Sequence, residues 1–264
     1  MMKRTISAVI LLMIGIPLVV LGGVPYRLGI FVISLMALKE FLDIKQIKKE
    51  LPIFISLISY IVMGLFVLSE SGNSLIFTID FRIIAGLFLV FLTPVVLYHD
   101  QSIYSIVDAF YLIGGMFFLG ASFSLFILMR TIDLNLILYL FTITIATDVY
   151  AYLIGLLIGK HPMTSISPKK SIEGLIAGTI FGTLLGTVFY LVVLDPTAEF
   201  YVILFVSCFL SILGQFGDLV FSAIKRYYGK KDFSNLIPGH GGILDRFDSI
   251  IFVVLGFLFF LNIL

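Results

Sequence analysis

From Gly217 to Asp248 the chain reads GDLVFSAIKRYYGKKDFSNLIPGHGGILDRFD, a run of charge in an otherwise largely apolar sequence. Asp218, Ser222 and Lys225 fall at i, i+4 and i+7, so one helix face presents a carboxylate, a hydroxyl and an ammonium at graded heights. Arg226 follows, then Lys230, Lys231 and Asp232, then the loop Pro238-Gly239-His240-Gly241-Gly242, then Asp245, Arg246 and Asp248. Glycines let a backbone approach a ligand closely and expose its N–H groups, which suits phosphate oxygens. Asp218 and Asp245 could flank one hard cation, because magnesium is usually held by one or two carboxylates with substrate phosphates completing its shell. The combination fits nucleotide-dependent phosphoryl or nucleotidyl transfer at a membrane surface. Each part has a plainer counterpart. The lysines double as a topogenic basic cluster, Asp245 and Asp248 suit the first turn of a helix, His240 could be a loop hydrogen-bond donor, and a Gly-Gly pair can be only a turn. Those counterparts do not explain why all of these features gather in one segment that follows an acid inside an apolar run.

The elements that must hold this segment are apolar. Of the 264 residues 60% are hydrophobic and only 12% charged, and the mean hydropathy is +1.17. These values lie far from those of a soluble domain and define an all-α, polytopic integral membrane protein. At roughly 20 apolar residues per crossing, about nine transmembrane helices are expected, near 5–23, 26–44, 51–69, 81–98, 105–129, 134–159, 173–194, 199–224 and 246–264. The first has the basic start of a signal peptide but no small-residue cleavage site, and reads as an uncleaved span. With the N-terminus cytoplasmic and the C-terminus outside, the cytoplasmic face takes every one of the 17 basic residues except Arg27, Arg82 and Arg130. The charged segment then faces the cytoplasm between the eighth and ninth spans. No polar stretch is long enough for a separate core. The expected organisation is one membrane-embedded unit, with N-terminal transmembrane helices over 1–100 and a catalytic region over 101–264.

An intramembrane carboxylate costs about 2.5–3.5 kcal/mol on insertion scales and is a functional hypothesis by default. Asp218 lies about 9 Å inside the basic end of its span. Asp148 lies mid-span in the sixth, where a functional role and a buried hydrogen bond to a neighbouring helix are equal readings. Asp108 reads as interfacial and structural, and neither it nor Asp80 and Arg82 receives a functional role. The seventh span repeats glycine at 174, 178, 182 and 186, with threonine at 179, 183 and 187. That is a ridge for close helix packing, within the subunit or at a dimer seam. The single cysteine, Cys208, excludes an intrachain disulfide.

At these residues the sequence resembles the bacterial phosphatidate cytidylyltransferases, or CDP-diacylglycerol synthases. Their signature S-x-x-K-R-x4-K-D, a spacer, then P-x-H-G-G-x-x-D-R-x-D is met by Ser222, Lys225-Arg226, Lys231-Asp232, Pro238, His240-Gly241-Gly242, Asp245-Arg246 and Asp248. Upstream, Asp148-Val149-Tyr150-Ala151-Tyr152, Gly159-Lys160 and SPKKSIEG from Ser167 to Gly174 are similar to further family elements, with Ser171 where threonine is commoner. The specific resemblance covers roughly 148–248.

The resemblance implies the reaction CTP + phosphatidate → CDP-diacylglycerol + pyrophosphate in phospholipid biosynthesis, at the cytoplasmic face of the cell's inner membrane. It implies Asp218 and Asp245 as Mg2+ carboxylates supported by Asp248, with Asp148 behind them. It also implies Lys225, Arg226, Lys231 and Arg246 as phosphate-binding cations, Ser222 beside them, and His240, Gly241 and Gly242 as a phosphate-facing loop. Ser167, Lys169 and Lys170 would meet CTP or the lipid phosphate. The expected partners are CTP, phosphatidate, the lipid bilayer and a second copy in a homodimer, with no nucleic acid. Two other readings stay open: a CTP-dependent enzyme for another membrane lipid, such as a polyprenol kinase, and a transporter, which would need a polar route through the whole bilayer.

Overall fold

The structure is a computed structural model that describes residues 2–46, 48–68, 81–164 and 166–261, with the side chains of residues 2–4 left aside. Asp80, position 69 and positions 262–264 of the expected spans lie outside the described residues. Among the described residues the secondary structure is helical, with two isolated β-bridges, Pro162 to Ser171 and Ile237 to Gly241.

The α-helices are α1 Met2–Leu21, α2 Gly23–Gln46, α3 Ile53–Leu68, α4 Phe81–Tyr98, α5 Ile106–Ile132, α6 Leu134–Ile158, α7 Ile172–Phe189, α8 Phe200–Tyr227 and α9 Leu244–Phe257. Among the described residues five stretches are long and apolar enough to cross a membrane: α4, α5, α6, α7 with its π-helical continuation to Leu194, and α8. Shorter apolar helices run over Thr5–Leu21 and Ile53–Leu68. This is the helical, apolar build of a membrane protein.

The chain divides into two compact units, Met1–Ile132 with Phe233–Ile243, and Asp133–Asp232 with Leu244–Leu264. In the first, α5 is the central element: 83% of its most apolar window is buried, against 17% for α4. The α2 helix meets α5 through a polar contact that apolar packing alone would not specify. Lys45 pairs with Asp108, Lys49 reaches the same carboxylate at 2.5 Å, and Ser105 Oγ donates to it at 2.7 Å. Asp108 thus receives the structural account that its sequence position suggested. At the other end of α5, Arg130 donates from Nε to the carbonyl of Val19 at 2.5 Å and from Nη2 to that of Val20 at 2.9 Å.

In the second unit α6 packs extensively along α7. Asp133 caps α6 by accepting from the Asn135 N–H at 2.5 Å, and Ser171 caps α7 by accepting from the Gly174 N–H at 3.1 Å. The glycine ridge of α7 is used within the chain: a Cβ at Gly174 would stand 2.5 Å from the Ala151 carbonyl, and one at Gly178 2.7 Å from that of Thr147. Of the ridge threonines, Thr179 Oγ1 accepts from Gln215 Nε2 of α8 at 2.9 Å. Hydroxyl pairs join α6 to α8, Thr147 with Ser211 at 2.7 Å and Tyr139 with Ser207 at 2.8 Å. These bonds fix rotation about the helix axes where apolar contacts would let them slide.

Candidate active site

The α8 helix ends in Lys225 and Arg226, cations placed where its dipole favours them, and α9 opens with Asp245 in its first turn, where an acid is favoured. The two helices cross closely because position 217 is glycine. A Cβ there would fall 2.6 Å from the Asp248 carbonyl oxygen and 2.9 Å from Phe252 Cβ. Gly217 therefore sets α8 against α9 directly beside Asp218.

A cleft of about 770 Å³ opens within this unit, inside the size range of small-molecule sites. Its carboxylates are Asp148 on α6, Asp218 on α8, Asp245 and Asp248 on α9, and Asp232 from the connection between α8 and α9. Its cations are Lys169 and Lys170 from the α6–α7 connection, Lys225 from the end of α8, and Arg246. Residues read from two separate sequence elements, 148–174 and 217–248, are thereby brought to one place.

Two ion pairs organise the cleft. Lys225 Nζ donates to Asp245 Oδ1 at 2.6 Å with both side chains buried. Lys170 Nζ lies 2.5 Å from Asp218 Oδ2 with both side chains about 30% exposed, and Ser222 Oγ donates to the other oxygen, Oδ1, at 3.3 Å. The helix face read from the i, i+4, i+7 spacing thus forms, but its lysine turns to the acid of the next helix. Ser222 acts on the cleft through Asp218. Arg226 is exposed and donates from Nη1 to the Lys230 carbonyl at 2.9 Å, holding the turn after α8. Ser167 closes a turn by accepting from the Lys170 N–H at 3.1 Å. Ser167, Arg226 and Lys231 stand outside the cleft lining. His240, Gly241 and Gly242 belong to the other compact unit.

Gln215 and Ser249 also line the cleft and were not singled out in the sequence. Gln215 is 6% exposed, and its Nε2 donates to the Leu175 carbonyl at 3.3 Å and to Thr179 Oγ1 at 2.9 Å. Since that carbonyl can only accept, the amide orientation is fixed. The sequence signal for Gln215 is an amide three residues before Asp218 within an apolar run.

No group of three or more His, Cys, Asp or Glu side chains stands at metal-holding distance among the described residues. A magnesium ion would need only one or two of the cleft's carboxylates, since it completes its shell with water and substrate phosphates. The donor set agrees: carboxylate oxygens, with no thiol and no imidazole in the lining. Chemically, the cleft can bind polyphosphate through its lysines and arginine and can align two phosphate-bearing groups between its acids.

Apolar helices around a charged, phosphate-suited cleft define a membrane-embedded protein of the phosphate-handling kind. The chain belongs to the Cytidylyltransferase family, whose sequence pattern it matches over residues 2–264. Among its relatives, a protein of Staphylococcus haemolyticus named phosphatidate cytidylyltransferase is 37% identical over 256 residues, 96% of each chain. Proteins of the same name from Staphylococcus epidermidis and Staphylococcus aureus are each 36% identical over the same share.

Proposed function

We propose that this protein is a phosphatidate cytidylyltransferase that forms CDP-diacylglycerol and pyrophosphate from CTP and phosphatidate. The observation that carries the reading is the pair of acid–lysine couples, Asp218 with Lys170 and Asp245 with Lys225, in one cleft of a chain related along its whole length to enzymes of that name.

A phosphate oxygen of the lipid attacks the α-phosphorus of CTP. The new P–O bond forms as the bond to the bridging oxygen breaks, and pyrophosphate leaves with the electron pair. Both reactants are anionic, so the site must neutralise charge and hold them in line. Lys169, Lys170 and Arg246, which line the cleft, would bind phosphate oxygens. Lys225 holds Asp245 in one orientation, and Ser222 and Lys170 do the same for Asp218. Asp218 and Asp245 would hold Mg2+, with Asp248 and Asp148 adding negative potential, and the ion would supply charge neutralisation at the transferring phosphoryl group. Arg226, Lys231, His240, Gly241, Gly242 and Ser167 remain proposed substrate contacts on the strength of the family signature.

The lipid headgroup cannot leave the interface, so the cleft must open to the bilayer. Its α6 side includes Tyr152 and Leu156, which are 68% and 69% exposed. On the charge distribution we read nine spans with the N-terminus cytoplasmic and the C-terminus outside. The chain then sits in the inner membrane as one embedded enzyme, helices to about residue 100 preceding a catalytic region over 101–264, with the site facing the cytoplasmic supply of CTP. The homodimer is part of the same proposal.

The test is pyrophosphate release and lipid-linked CMP formation by detergent-purified protein given CTP, phosphatidate and Mg2+. Asp218→Asn and Asp245→Asn should each lower the rate more than about 100-fold while remaining folded. Phosphorylation of a lipid alcohol by CTP without lipid-linked CMP would transfer the reading to a kinase.

A further inference from the structure

The N-terminal compact unit holds a buried acid that the reaction described above does not use. Glu40, on α2, is 2% exposed. Its Oε1 accepts from Ser234 Oγ at 2.6 Å and from the Ile243 N–H at 2.8 Å, so one oxygen ties together both ends of the segment 234–243. Between those ends the chain makes a tight turn. The His240 N–H donates to the Ile237 carbonyl at 2.9 Å, and the Ile237 N–H donates to the Gly241 carbonyl at 2.8 Å. Pro238 followed by Gly239 at φ +80° is the pattern of a type II turn, and Gly241 at φ +82° continues the left-handed backbone. Gly242 then lies against the acid: a Cβ there would stand 2.5 Å from each carboxylate oxygen of Glu40. The second glycine of the Gly241-Gly242 pair is thus explained by the carboxylate that occupies its side-chain space.

Ile243, whose N–H the acid holds, is followed along the chain by Leu244, the first residue of α9, and by Asp245. We propose that Glu40 is a positioning residue. By clasping Ser234 and Ile243 it fixes where α9 begins and hence where Asp245 is presented. The inference rests on the reading of Asp245 as a reaction-site carboxylate. It assigns the N-terminal helices, which the family signature does not reach, a defined part in the chemistry.

The test compares full-length Glu40→Ala, which removes the acceptor, with Glu40→Gln, which keeps an acceptor oxygen for Ser234 and Ile243. Steady-state kinetics are read beside hydrogen–deuterium exchange over 233–248. Glu40→Ala should lower kcat about 10- to 100-fold with KM for CTP changed less than roughly threefold, and should raise exchange across 233–248. Glu40→Gln should recover most of both. Wild-type exchange in Glu40→Ala overturns the clasp whatever the activity. So does a Glu40→Gln variant as impaired as Glu40→Ala, since charge rather than the acceptor would then matter. So too does a loss of rate that vanishes when normalised to folded protein. If wild-type protein makes no lipid-linked CMP while the exchange pattern appears as expected, the proposed reaction falls and the clasp stands.

Discussion

Lys225 and Asp245, twenty residues apart in the chain, meet at 2.6 Å across the α8–α9 junction with both side chains buried. Removing one partner of such a pair leaves an uncompensated buried charge, which costs about 3–5 kcal/mol, whereas removing both charges together is often nearly neutral. Lys225→Met should therefore lower the melting temperature in detergent and abolish product formation. The double variant Lys225→Met with Asp245→Asn should regain stability without regaining activity. Recovery of both in the double variant would reduce the pair to a packing device.

The couple between Lys170 and Asp218 lies in a different setting. Its side chains are 30% and 27% exposed, so water screens the pair and its net contribution to stability is about 1 kcal/mol or less. Lys170→Ala should leave the melting temperature within a few degrees of wild type yet lower kcat/KM for CTP or phosphatidate by about 10- to 100-fold. The loss relative to wild type should shrink as ionic strength rises, because salt screens the exposed Lys170 charge that the variant lacks. An unchanged kcat/KM would remove Lys170 from the site.

Much of this arrangement was legible beforehand, and the reasons are physical. Apolar run lengths located the helices well: an expected span over 134–159 corresponds to Leu134–Ile158, and one over 199–224 to Phe200–Tyr227. The last helix was harder. It begins at Leu244 rather than 246, because its first turn is charged and hydropathy does not register it. Spacing on one helix placed Asp218 beside Ser222, but it could not show that Lys225 would turn to Asp245 or that Lys170 would come to Asp218, since those partners are chosen by helix crossing. Glu40 was not legible: Lys39, Asp43 and Lys45 surround it, so its charge does not stand out in the sequence as that of Asp148 does, and its partners lie 194 and 203 residues away.

Gly217 offers a test of how tightly the crossing controls the chemistry. A methyl group at this position would stand 2.6 Å from the Asp248 carbonyl oxygen, a distance that backbone must relieve by moving. Overpacking of this kind costs about 1–3 kcal/mol. Gly217→Ala should lower stability by that amount and depress kcat more than the small loss of folded protein explains, because Asp218 and Asp248 are carried apart. Measurement of kcat per folded molecule separates the two effects, and a normal kcat would show that the site tolerates a wider α8–α9 separation.

Divalent metal gives a prediction independent of packing. Chelation by EDTA should stop product formation by wild-type protein, and added Mg2+ should restore it, since lipid phosphate and CTP cannot approach with their charges unbalanced. Asp218→Asn and Asp245→Asn should each shift the Mg2+ concentration for half-maximal residual rate upward by about tenfold or more. Activity that survives chelation would leave charge neutralisation to Lys169, Lys170 and Arg246 alone.

Asp108 supplies the contrasting case of a buried acid with a purely structural role. It binds Lys45 of α2 and Lys49 just after that helix and accepts from the Ser105 hydroxyl, so its charge is fully committed within the N-terminal unit. Asp108→Asn keeps the shape but leaves a buried lysine without its counter-charge, and should cost about 3 kcal/mol or more. The variant should melt earlier, while the folded fraction turns over CTP with wild-type kcat and KM. That outcome would separate Asp108 from Glu40, which is also buried in the same unit but is expected to change kcat with little change in KM for CTP. Thermal unfolding and steady-state kinetics on the same preparations of the two variants make the comparison directly, and a lowered kcat in folded Asp108→Asn would show that the α2–α5 contact also reaches the site.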